Sequence, residues 1–240
     1  MEKNCFKVLA LFPVLGIFSL VSCTDFFSTS LATWAQRDRT KLNIKVTASN
    51  VDDLIAQNGN DPDTSLAILK GIEAALKGAS GQSKLDLESA ALEAAANAAG
   101  LGNTVLGKSQ EILDAIDSGV DADVLALVEN VIDSLDNLGA TASTLLAALP
   151  DPGDPTAFEA FIENSDPTKL ALAAAVLLAS EAEQAGGASG YIAGFTGTPS
   201  SPNEAMAVAI AGGIASNYAS TEEGTVDAII ENMLKQLKLI

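Results

Sequence analysis

The chain has 240 residues, with 31 acidic against 13 basic side chains, two cysteines and no histidine. A net charge of −18 repels nucleic-acid phosphates and argues against a nucleic-acid partner. The missing histidine removes the commonest general base, the commonest metal ligand and the Ser-His and Cys-His nucleophile pairs.

From the N-terminus, a charged head carrying Lys3 and Lys7 leads into an apolar run over residues 8–21. Such a run has the length of a secretory signal core and falls short of a bilayer span. It ends in Leu20, Val21, Ser22 and Cys23. These four residues resemble the lipobox of bacterial lipoproteins, which a type II signal peptidase reads. The resemblance implies cleavage before Cys23, diacylglycerol on its sulfur and an acyl group such as palmitate on the new amine. Cys5 would leave with residues 1–22 and lipid would consume Cys23, so no thiol remains for a disulfide. Residues 23–48 hold Arg37, Arg39, Lys41 and Lys45 against Asp25 and Asp38, so the basic end is the membrane end of an acidic body. The expected location is the cell membrane or the outer membrane, facing periplasm or exterior. Thr24 stands where inner-membrane lipoproteins commonly carry aspartate.

Residues 23–49 read as a lipidated stem. Phe27, Leu31 and Trp34, at i, i+4 and i+7, would share one face of a short helix. That face could anchor in the interface beside the acyl chains, dock a protein partner, or pack onto the protein's own body. Residues 41–49 (KLNIKVTAS) alternate apolar and polar, and read as extended stem rather than sheet.

Residues 50–240 read as a single all-α domain of roughly eight to ten helices, because Ala and Leu dominate and both are strong helix formers. Asp61-Pro62, Asp154-Pro155, Asp166-Pro167 and Ser201-Pro202 each pair an N-cap residue with proline at the first helical position, and Asn50 marks a fifth start. Glycines 59, 78, 100, 139 and 186 sit where helices would stop. Val124, Leu127, Val128, Val131, Ile132, Leu135 and Leu138 predict one amphipathic helix, and Val226, Ile229, Ile230, Met233, Leu234 and Leu237 another. Residues 170–179 are apolar all round and predict a central buried helix. Met206, Ile210 and Ile214 with Gly212 and Gly213 predict close helix–helix contact, and residues 186–202 an irregular loop or hinge.

The domain is expected to be a multi-helix bundle or an irregular tetratricopeptide-like hairpin array. A weak internal echo favours the array: Asp61-Pro62 and Asp166-Pro167, 105 residues apart, both open apolar helices that run toward an Ala-Ser-Gly triplet. The stretch Asn60-Asp61-Pro62-Asp63, followed by Leu66, Ala67, Leu69 and a helix to Leu76, resembles part of the T component of TRAP transporters, a family of all-helical periplasmic lipoproteins. That resemblance implies an accessory role for a transporter and carries no ligand residues over.

Gly102-Asn103-Thr104-Val105-Leu106-Gly107-Lys108-Ser109 matches the phosphate-loop pattern G-x-x-x-x-G-K-S. An alanine-rich helix precedes it where the function requires a buried strand, so a helix–loop–helix joint is the expectation and no nucleotide cofactor is assigned. Glu111, Asp114, Asp117, Asp121 and Asp123 crowd a helix junction without the EF-hand ligand order, and read as solvated faces and caps rather than a metal site. No S-x-x-K dyad is present, and one tryptophan gives no aromatic platform for sugar hydrolysis. The residues together predict a non-enzymatic lipoprotein with no catalytic residues and no cofactor. It would be lipidated at Cys23 and act as a helical scaffold or accessory subunit with a protein partner in the envelope. The alternative is a periplasmic module binding a small or apolar ligand between alanine- and glycine-rich helices.

Overall fold

A computed structural model describes residues 42–101, 128–194 and 198–217. The described residues are helical, without strand or sheet. Eight helices follow in order: α1 Val51–Asn58, α2 Pro62–Leu76, α3 Gln82–Ala98, α4 Leu138–Ala148, α5 Pro155–Asn164, α6 Pro167–Gln184, α7 Ala188–Gly194 and α8 Pro202–Asn217. A further helical stretch covers residues 128–132.

The starts obey local chemistry. Asp61 accepts from the Thr64 amide at the head of α2, Asp154 from that of Ala157 at α5, and Asp166 from those of Thr168 and Lys169 at α6. Each carboxylate satisfies amides that the first helical turn leaves without a partner, and the proline beside it has no N–H to satisfy. Asn50 also precedes a helix, but its side chain makes no cap bond to α1 and is used elsewhere. At the far end of α6, Gly186 takes a positive φ of 82°. Its amide reaches the Glu183 carbonyl, and the Gly187 amide reaches that of Ala182, which closes the helix in a Schellman turn.

Helices α3 and α6 form the middle of the molecule. α3 packs against α1, α2, α4, α5 and α6, and α6 packs against α3, α4, α7 and α8. Contacts so far from sequence neighbours make a bundle, whereas a repeat array would join each hairpin only to the next. Their alanines allow it: Ala91, Ala94 and Ala95 of α3 and Ala173 and Ala174 of α6 are fully buried, and bring backbones close. Larger side chains close the remaining space: Ile68, Leu69 and Ile72 from α2, Leu145 from α4, Phe161 and Ile162 from α5, and Ile210 from α8. The central apolar helix expected over residues 170–179 is α6. No described helix is long and apolar enough to cross a membrane.

Several expectations need correction. The amphipathic face expected to continue to Leu138 breaks: helix ends at residue 132 and Asn137 adopts a left-handed φ of 52° before α4 begins. Val131, Ile132, Leu135 and Leu138 still gather in one small cluster with Ala99, Leu101, Val176 and Ala179, so the apolar pattern encoded burial but not one continuous helix. Gly139 lies inside α4 instead of ending a helix, because Asn137 supplies the left-handed turn. Residues 186–202 are not wholly irregular, since α7 lies within them. The internal echo also divides, since Ala79, Ser80 and Gly81 lie between helices and Ala188, Ser189 and Gly190 open α7. Of the paired glycines in α8, a Cβ at Gly213 would come within 2.9 Å of the Ile162 side chain, whereas one at Gly212 would meet nothing.

Residues 42–47 form no helix or strand, and they do not hang free of the body. Val46 is buried, and Ile44 and Ala48 pack against the main core. Residues 42–49 thus pack with the helices in one compact unit. The C-terminal amphipathic segment over residues 226–237 lies outside the described residues.

Candidate functional site

The residues singled out for lipidation and contact (Leu20, Val21, Ser22, Cys23, Phe27, Leu31 and Trp34) lie outside the described residues. So do the G-x-x-x-x-G-K-S stretch from Gly102 to Ser109 and the acidic group Glu111, Asp114, Asp117, Asp121 and Asp123. Three groupings of polar side chains stand out within the described body, each with a carboxylate whose titration is shifted.

The most developed stands where α6, α7 and α8 meet. Ser201 Oγ accepts from the Glu204 amide at 3.1 Å, and Glu204 Oε2 accepts from the Ser201 amide at 3.2 Å. This reciprocal pair is a capping box, written in the sequence as Ser-Pro-Asn-Glu. The same carboxylate oxygen also takes the Ser200 amide and, at 2.8 Å, the Ser200 hydroxyl. Glu204 is only 4% exposed. Burial pushes its carboxyl upward, but the hydrogen bonds from Ser200, Tyr191 and Ser201 outweigh it and hold the group below its ordinary value. Tyr191 of α7 lies near enough for its phenol to feel the Glu204 charge. Burial first, then the negative charge of Glu204 and the bond to it, then Glu181, push the phenol well above its ordinary range. Glu181 of α6 accepts from Asn203 Nδ2 at 2.7 Å.

The chemistry of this cluster is consequently that of a lock. A phenol held protonated is a donor, and a carboxylate held ionised is an acceptor. Neither is poised near neutrality to trade a proton, as a general acid or base must be. The capping box at 201–204 is legible in the sequence as S-x-x-E, of which the Ser201-Pro202 start is one half. The contribution of Tyr191 was not legible, because it arrives from α7.

The second grouping is Glu88, 2% exposed on α3, with Lys84 Nζ 3.5 Å away one turn earlier. Burial raises the carboxyl above 4.5 in spite of the Lys84 charge and hydrogen bond, which lower it. In the third, Glu129 accepts from the Ser189 amide at 3.2 Å and from the Ser189 hydroxyl at the start of α7. Those bonds, the hydroxyl's first, hold Glu129 below its ordinary range. Lys169 and Glu93 add an ion pair at 2.6 Å between α6 and α3. Among the described residues, no group of three or more His, Cys, Asp or Glu is placed to hold a metal ion.

The glycines bear on the ligand-binding alternative. The room left by Gly213 is taken by Ile162, and that left by Gly71 by Val46 and the Ile44 carbonyl. At these two positions the missing side chain admits a neighbouring segment of the protein itself. Comparison with models of known protein families, with curated proteins and with solved structures found no match.

Proposed function

We propose that the protein is a membrane-anchored, non-enzymatic lipoprotein, held through lipid on Cys23, whose acidic helical body serves as an interaction scaffold or accessory subunit in the cell envelope. One observation carries this reading: the apolar run over residues 8–21 that ends in Leu20-Val21-Ser22-Cys23. The lipid suffices as an anchor, since two or more acyl chains hold a protein stably where one does not, at ~0.8 kcal/mol per buried CH₂. The scaffold role draws support from polar contacts such as Glu181–Asn203 and Lys169–Glu93, which join one helix of the body to another. The likeness of residues 60–76 to TRAP transporter T components favours a transporter or an envelope assembly as the partner.

In-cell crosslinking of the lipidated protein, followed by mass spectrometry of what is joined to it, tests this reading. A stoichiometric envelope protein linked through the body is the expected result. Crosslinks only between copies of the chain, or none, would contradict the scaffold role.

A further inference from the structure

Helix α2 has a glycine, Gly71, near its middle, a position where glycine weakens a helix and where α2 otherwise uses good helix formers. The reason lies in the extended segment that precedes α1. A Cβ on Gly71 would stand 2.5 Å from Val46 Cγ2 and 2.7 Å from the Ile44 carbonyl oxygen, so nothing larger than hydrogen fits beneath the segment. A second local concession serves the same contact. Asn50 occupies the N-cap position of α1, yet its side chain turns back: Oδ1 accepts from the Thr47 amide at 2.8 Å and Nδ2 donates to the Lys45 carbonyl at 3.1 Å. Ser49 Oγ and Thr47 Oγ1 lie 3.1 Å apart within the same turn. Side chains alternate accordingly, with Ile44 and Val46 facing the core and Asn43 and Lys45 facing solvent.

We propose that residues 42–49 form a strap clasped onto the helical body, and that Gly71 is the position that admits it. A helix without its side-chain cap and a helix with a glycine at its middle are two costs incurred for one docked segment. The clasp concerns the described body alone and stands independently of the anchoring reading above.

Trypsin provides the test, because Lys45 is exposed while Val46, on the other side of the scissile bond, is buried. Cleavage in a folded protein follows the population of the opened segment. In the full-length protein, Gly71→Val should speed cleavage at Lys45–Val46 by about tenfold or more, with the helical circular-dichroism signal retained. Val46→Ala, which leaves α2 untouched, should shift cleavage the same way by less. If Gly71→Val unfolds the helices, Val46→Ala decides alone. Unchanged cleavage in Val46→Ala, or in a folded Gly71→Val, overturns the clasp. Repeating the comparison on a Cys23→Ser background separates the two readings, since the change at Lys45–Val46 is expected with and without lipid, whereas a failure of anchoring would show only in membrane fractionation.

Discussion

Residues 42–49 and residues 198–201 are both non-helical segments that run into a helix, α1 and α8, and they are held by opposite means. The first is held by shape: Ile44 and Val46 lie where Gly71 leaves room, and the added polar bonds are neutral ones from Asn50. The second is held by charge: one buried carboxylate, Glu204, collects two amides and a hydroxyl from Ser200 and Ser201. A clasp made by fit is indifferent to pH and intolerant of volume. One made by a carboxylate tolerates changes of volume nearby and depends on the proton.

Breaking the charged clasp should have the largest effect. Glu204→Ala leaves the Ser200 and Ser201 amides and the Ser200 hydroxyl to find other acceptors in a partly buried place. The expected loss is about 3 kcal/mol of unfolding free energy by urea denaturation, from the range for a buried hydrogen-bonded charge. A loss no greater than that of an ordinary surface substitution would show that the carboxylate is not what holds residues 198–201. Asn50→Ala acts on the neutral clasp and should cost about 1 kcal/mol, since two ordinary hydrogen bonds disappear and α1 has no side-chain cap to lose. Its cost should be equal at pH 4 and pH 7, because no titrating group takes part.

The smallest effect, and the sharpest in sign, is the pH dependence of stability that the two buried carboxylates impart. Glu204 lies below its ordinary value, so its contribution is present above pH 4.5 and is lost as pH falls through its lower folded value. Glu88 lies above its ordinary 4.5, so its effect runs the other way: stability is greatest below pH 4.5 and declines as pH rises through the folded value. Thermal melts between pH 4 and pH 8 should show that Glu88→Gln removes part of the wild-type decline above pH 4.5. A Glu88→Gln profile parallel to wild type would contradict the assignment.

What could be read from the sequence follows from how local each determinant is. The Asp-Pro starts at 61, 154 and 166 were legible because N-cap and N1 lie side by side in the chain, and the bonds they make reach three residues at most. The central burial of α6 was legible because residues 170–179 have no polar face to expose. The break at residues 133–137 was not legible, since Leu135 and Leu138 keep the apolar rhythm across it. What interrupts the helix is the left-handed turn at Asn137, whose side chain bonds Asp63 across the fold. The strap was half legible: its alternation marked an extended segment, but its seat is Gly71, more than twenty residues away and hidden inside an apolar helix pattern. Of the candidate site, Ser201 and Glu204 stand at capping-box spacing, whereas Tyr191 and Glu181 reach it through tertiary packing alone. The lipidation residues lie outside the described residues, and their reading rests on the order of charge, apolar run and cysteine.

The most direct test of the anchored-scaffold account is the intact mass and N-terminal peptide of the protein purified from membranes of its native host. The account predicts a chain that begins at Cys23, carries a diacylglycerol on the sulfur and an acyl group on the amine, and loses its membrane association in Cys23→Ala. A membrane-bound protein whose Cys23 thiol is unmodified, or one that stays on the membrane after cleavage in Cys23→Ala, would contradict it.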